Sequence, residues 1–199
     1  MTLSLISGTA GTALFVLTFL LDDATRPGYD PIRHPVSALA LGPRGWLQMT
    51  NFIISGLLIG ASAPGIYQAT QSAWLAVLVA VFGLALVASG VFPMDPMRGY
   101  PPGTPEGTPS TTSMRHTLHD WAGMLVFTSL PAAAIVAALS IDDVAWVAYS
   151  GATATVFVVL FVRFGSAWEA DSPRTGLVQR LTIVPGWTWL GLLCWHLMP

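Results

Sequence analysis

Six stretches of this chain are each about as long as the ~20 apolar residues that cross a bilayer as a helix, and none holds an Asp, Glu, Lys or Arg. They run from Leu3 to Leu21, Trp46 to Ile66, Ala73 to Phe92, Trp121 to Ile141, Val144 to Val162 and Leu181 to Met198. A chain of 199 residues with 9% charged side chains has little left over for a water-soluble domain. Soluble domains carry roughly 25%. The expectation is an all-α polytopic membrane protein, a single domain over residues 1–199 built as a six-helix transmembrane bundle. The first stretch lacks a basic segment before it and is too long for a signal-peptide core, so it reads as a retained helix. Pro131 falls inside the fourth stretch and is expected to kink it rather than end it.

Arginine placement orients the bundle. The chain has no lysine, and its eight cations are all arginine. Arg26, Arg33 and Arg44 fall between the first and second spans, Arg98 and Arg115 between the third and fourth, and Arg163, Arg174 and Arg180 between the fifth and sixth. The opposite loops and both termini carry none. By the positive-inside rule the three arginine-bearing loops face the cytoplasm and both termini lie outside. The formal net charge of −2 argues against a nucleic-acid partner. One cysteine, Cys194, allows no disulfide within the chain.

Two loops on the arginine-bearing side have character. His34-Pro35-Val36-Ser37-Ala38-Leu39-Ala40-Leu41-Gly42-Pro43 predicts a short helix with a Gly-Pro stop, too short to span and therefore interfacial or folded back into the bundle. Gly99 to Ser113, with Pro101, Pro102, Pro105 and Pro109, predicts a flexible linker. Gly8 to Thr12 and Gly56 to Gly60 place small residues four apart. That spacing suits close helix contact within the chain, with homodimerisation as the alternative.

The chemistry concentrates at the mouth of the fourth span, in Arg115-His116-Thr117-Leu118-His119-Asp120-Trp121. On a helix His116, His119, Asp120 and Gly123 share one face. His34, Ser37 and Asp95 belong to the same membrane side, and Asn51 begins a polar stripe with Gln48 and Ser55 that must avoid lipid. His196 lies 15 residues beyond Leu181, about 22 Å away along the helix, and belongs to the other side. His34, Ser37, Asp95, His119 and Asp120 are therefore candidate catalytic groups, and Asn51, His116 and Trp121 candidate substrate contacts. His34, His116, His119 and Asp95 have the donor types of a divalent metal site, zinc among the metals they suit. Acid–base catalysis by an Asp–His pair without metal is the second chemistry, and a proton or ligand path the third. His34, Asp95 and His119 are expected to converge.

These residues resemble a bacterial membrane family known as domain of unknown function 998. The resemblance is carried by His34-Pro35-Val36-Ser37 with Leu39, by Gly42-Pro43, Trp46 and Asn51, by Phe92-Pro93-Met94-Asp95, and by His119-Asp120. It implies a six-helix protein of the bacterial plasma membrane and no particular activity. Where the family usually has an acid directly after the serine, this chain has Ala38, and its Gly99–Ser113 loop is longer than usual. A looser similarity is to the seven-helix membrane hydrolases related to alkaline ceramidases. Those place Ser, Asp and three His around zinc, but this chain lacks their H-x-x-x-H in a last helix. The functional expectation is an enzyme acting on a lipid or isoprenoid-like substrate at the cytoplasmic face. A small proton-coupled carrier and a non-catalytic accessory subunit are the alternatives. A cavity opening sideways to lipid separates the first from a polar passage crossing the membrane.

Overall fold

The computed structural model describes all 199 residues. Seven α-helices form: α1 Thr2–Thr25, α2 Gly45–Gly60, α3 Ala63–Thr70, α4 Ala73–Val91, α5 Met114–Ser140, α6 Val144–Glu169 and α7 Thr175–His196. A 3-10 turn covers Val36–Ala40, and there is no β-sheet. The protein is a helical membrane bundle. Five segments are long and apolar enough to cross a membrane, with α2 and α3 counted together as Gly45–Thr70. α7 has the length, at 22 residues, but less apolar character. The reason is position: 13 of its residues are buried, against three of the 26 in α6. Polar residues are tolerated on α7 because they face protein, while α6 must be apolar because it faces lipid.

The long helices close a ring in the order α1, α2, α4, α5, α6, α7 and back to α1. Tight contacts rest on glycine. A Cβ on Gly83 of α4 would stand 2.6 Å from the carbonyl oxygen of Gly56 in α2 and 2.6 Å from the backbone nitrogen of Gly60. The Gly56–Gly60 pair therefore packs inside the chain, as does Gly8, whose Cβ would meet Ser62 and Cys194. Pro131 is accommodated within an unbroken α5. In the ring's centre Trp187 stacks on Phe15 at 5.4 Å between ring centroids and meets Phe82 edge-on at 4.9 Å. This aromatic plug fills the middle of the bundle.

The arginine-bearing end is a closely bonded cap. Asp22, wholly buried, pairs with both Arg26 and Arg44. Arg26 also donates to the carbonyls of Leu39 and Arg44, at 3.0 and 3.1 Å, tying the loop after α1 back onto it. Arg180 of α7 pairs with Asp23 at 2.9 Å and donates to the carbonyls of Pro31 and His34, at 2.7 and 3.0 Å. The 3-10 turn is thereby pulled into the bundle, with Val36, Ala38, Leu39 and Ala40 buried. Of the two placements open to it, it takes the inner one.

The expected linker departs from its reading over its first half. Met97 and Tyr100 bridge each other. Gly99 donates to Pro105 O at 3.0 Å and Arg98 to Gly107 O at 2.9 Å, and Glu106 pairs with Arg33. Tyr100 is buried against both Tyr29 and His34. Prolines that cannot build a core still rigidify a turn once a buried tyrosine anchors it.

Candidate functional site

Two adjoining cavities meet at the arginine-bearing end. The larger, about 320 Å³, lies between α5 and α6 and is walled by Met124, Phe127, Phe161, Phe164 and Trp168. Its rim carries His116, Asp120 and Glu169. The smaller, about 50 Å³, sits in the ring's centre beside Phe15, Phe52, Ser89 and Trp187. Ser37, His119, Gly123, Phe127 and Gln179 line both, so they form the junction. The gap exists because two glycines face it: a Cβ on Gly123 or Gly165 would meet nothing within 4 Å, in contrast to Gly56 and Gly83.

His119 is held in one tautomer. Its Nδ1 lies 2.8 Å from Phe92 O and 3.2 Å from Ser89 O, carbonyls at the end of α4. Both are acceptors, so Nδ1 carries a proton, and in the neutral ring Nε2 keeps its lone pair. Nε2 has no partner within the chain, and the ring lines both cavities while only 8% exposed. Gln179 shows the same logic. Its Oε1 accepts from the Val36 N–H at 2.7 Å, which leaves its NH₂ group at the junction.

His116 and Asp120 form a second pair on the same helix face. His116 Nδ1 accepts from the Asp95 backbone N–H at 3.0 Å, so the ring proton sits on Nε2, 3.3 Å from Asp120 Oδ2. The Asp120 side chain is 60% exposed at the cavity rim.

Other sequence candidates have different duties. His34 uses both nitrogens on backbone: Nδ1 accepts from Asp30 N–H at 2.9 Å and Nε2 donates to Arg98 O at 3.2 Å. It joins the first loop to the loop before α5, and burial holds its imidazole below the ordinary range. Asp95 grips Ser113, accepting from its N–H and its hydroxyl at 2.6 Å each, and these bonds hold its carboxyl below the usual value. Ser113 in turn caps α5, accepting from His116 N–H at 3.2 Å. His34, Asp95 and His119 thus each bond elsewhere and make no hydrogen bond to one another. No three His, Cys, Asp or Glu side chains gather in a way that could hold a metal, so the His34, His116, His119 and Asp95 shell does not assemble. The physical reason is that loop backbone competes for the same nitrogens and oxygens.

Ser37 is at the junction but its hydroxyl donates to Met94 Sδ at 3.2 Å, not to a histidine. Asn51 is buried in a polar tie, donating to Phe15 O at 3.1 Å and Gln48 Oε1 at 3.2 Å, and lines neither cavity. Trp121 is 67% exposed, away from both cavities, as an interfacial tryptophan would be. His196 lies at the opposite end against Trp146, 4.4 Å between ring centroids. Sequence reasoning missed Gln179 and Glu169. The signal for Gln179 was available: Gln179-Arg180 opens an apolar stretch, where polar groups are expensive unless they face protein.

Ring and cap define a polytopic helical membrane protein with a cavity between α5 and α6 lined by both polar and aromatic side chains. The sequence profile of the family described as protein of unknown function (DUF998) matches residues 9–196, and the chain belongs to that family. No curated protein and no solved structure matches it.

Proposed function

We propose that this protein is a membrane-embedded acid–base enzyme that acts on a lipid-like substrate entering sideways between α5 and α6. On this reading the mouth lies at the cytoplasmic face of a bacterial plasma membrane, with both termini outside. The observation that carries it is the free Nε2 of His119, fixed as a base by backbone carbonyls and set in an apolar-walled cavity. Nε2 takes a proton from a water or a substrate hydroxyl. Gln179 donates to the oxygen that gains charge. His116 and Asp120 at the rim supply a second proton-carrying pair. Ser37 does not serve as a histidine-activated nucleophile here, since its hydroxyl faces Met94.

Transport fits the geometry less well. Beyond the junction, Phe15, Phe82, Phe127 and Trp187 close the ring, and Asn51 is bonded to Ser55 rather than lining a passage. The test is turnover in lipid nanodiscs charged with a bacterial polar lipid extract and followed by mass spectrometry. Wild-type protein should consume a lipid species that His119→Ala and Gly123→Leu leave untouched. Turnover by His119→Ala at the wild-type rate would overturn the reading. A fluorescent protein fused after Pro199 should stay dark, because that end is placed outside.

A further inference from the structure

The rim of the lateral cavity is acidic, and its wall is aromatic. Asp120 from α5 and Glu169 from α6 both line it, while none of the eight arginines lines either cavity and the chain has no lysine. The guanidinium stacked on the aromatic wall is spent. Arg98 stacks on Trp168, 4.0 Å from the ring centroid, pairs with Asp171 at 3.2 Å and donates to Thr175 at 3.3 Å. Glu169 ends α6, where the helix dipole disfavours a carboxylate, and it has no ion-pair partner.

Depth sorts the lining. From His116 to Phe127 along α5 is about 16 Å at 1.5 Å per residue, and the lining changes from ionisable to aromatic over that distance. Phe127 stacks on Phe161 at 5.1 Å and meets Phe164 at 5.9 Å, and Phe164 meets Trp168 at 6.1 Å. The volume, about 320 Å³, is at the small end for ligand sites, which suits one chain rather than two. His119, more than nine-tenths buried with Nε2 unpartnered, marks the junction as a ligand site and not only an acidic rim.

We infer that the substrate is a single-chain amphiphile with a cationic amine head, held by Asp120 and Glu169 at the rim with its chain along the Phe127–Phe161–Phe164 wall. This rests on the lateral-entry reading above and adds the sign of the head group. Asp120, which accepts from His116 through Oδ2 and keeps Oδ1 for the ligand, together with Glu169 and the aromatic faces attracts an ammonium and repels a phosphate.

The experiment is calorimetric titration of the full chain in a non-ionic detergent with dodecylammonium, dodecanol and dodecyl phosphate. The ammonium should bind at least about tenfold more tightly than the phosphate, the ratio one such charge contact supplies. Asp120→Asn with Glu169→Gln should bring the two within about twofold, and Gly123→Leu should abolish binding of all three. Equal or tighter binding of the phosphate, still blocked by Gly123→Leu, would overturn the head-group inference and leave the lateral cavity standing. No saturable binding of any chain would remove both.

Discussion

Replacing Gly123 by Ala should stabilise the protein, whereas the same change at Gly83 should damage it. Both glycines lie inside transmembrane helices, so propensity alone treats them alike and favours alanine by about 0.5–1 kcal/mol. Their surroundings differ. The new methyl at 123 meets nothing within 4 Å, so it enters the cavity without strain and the propensity gain survives. At 83 it would stand 2.6 Å from Gly56 O and 2.8 Å from Gly60 Cα, both backbone, so two helices must separate. Overpacking of this kind costs about 1–3 kcal/mol. The propensity gain is common to both and cancels, so the pair should differ by the overpacking cost, about 1 to 3 kcal/mol, or several degrees in midpoint at about 2–4 °C per kcal/mol. Thermal melts in a mild detergent, read by helical circular dichroism, measure it. If Gly123→Ala falls as far as Gly83→Ala, α5 and α6 touch at that level and the cavity does not exist.

His34 should carry part of the acid sensitivity. Its imidazole is held below 6.5 in the fold, so the unfolded chain binds the proton first. Stability is then full above about pH 6.5 and declines as pH falls through the lower folded value. His34→Gln should flatten that slope in midpoint-against-pH measurements, and an unchanged slope would refute the assignment. Asp95→Asn should lower stability by about 1 kcal/mol through weakened bonds to Ser113, discounted for partial exposure. The wild-type carboxyl is held below 3.8, so its contribution is present above that pH and is lost as pH falls through the lower folded value. Lipid turnover should fall less in Asp95→Asn than in His119→Ala, and equal loss would return Asp95 to the catalytic set. Asp22→Asn leaves Arg26 and Arg44 short of a counter-ion in a buried site and should cost about 3–5 kcal/mol, read as loss of monodisperse protein on gel filtration. His196→Ala should leave turnover unchanged.

The helical bundle was legible because hydropathy is a property of each segment alone. The first and fifth spans fall within single helices, the third, fourth and sixth overrun theirs by one or two residues, and the second, Trp46 to Ile66, is divided between α2 and α3; the short turn at Val36 was marked by its prolines and glycine. The site was legible only in part. His116, His119 and Asp120 announce themselves by helical spacing, and they do share the cavity. His34 looked equivalent to them, yet its ring is consumed by backbone groups from two loops, a partnership no spacing encodes. The cavity itself was hidden. Gly56, Gly83, Gly123 and Gly165 read alike in the chain, and only packing shows that the first two touch a neighbour while the last two face open space. Gln179 and Glu169 come from α7 and α6, far in sequence from the histidines they adjoin.

The central claim is that His119 presents a free, unprotonated Nε2 to a cavity between α5 and α6. Diethyl pyrocarbonate acylates such nitrogens, and mass spectrometry locates the adduct. In the folded protein His119 and the exposed His196 should be modified, while His34 and His116, with both nitrogens engaged, should be protected. Gly123→Leu should protect His119 and leave His196 reactive. Failure of His119 to react in the wild type, or reaction undiminished by Gly123→Leu, would contradict the account.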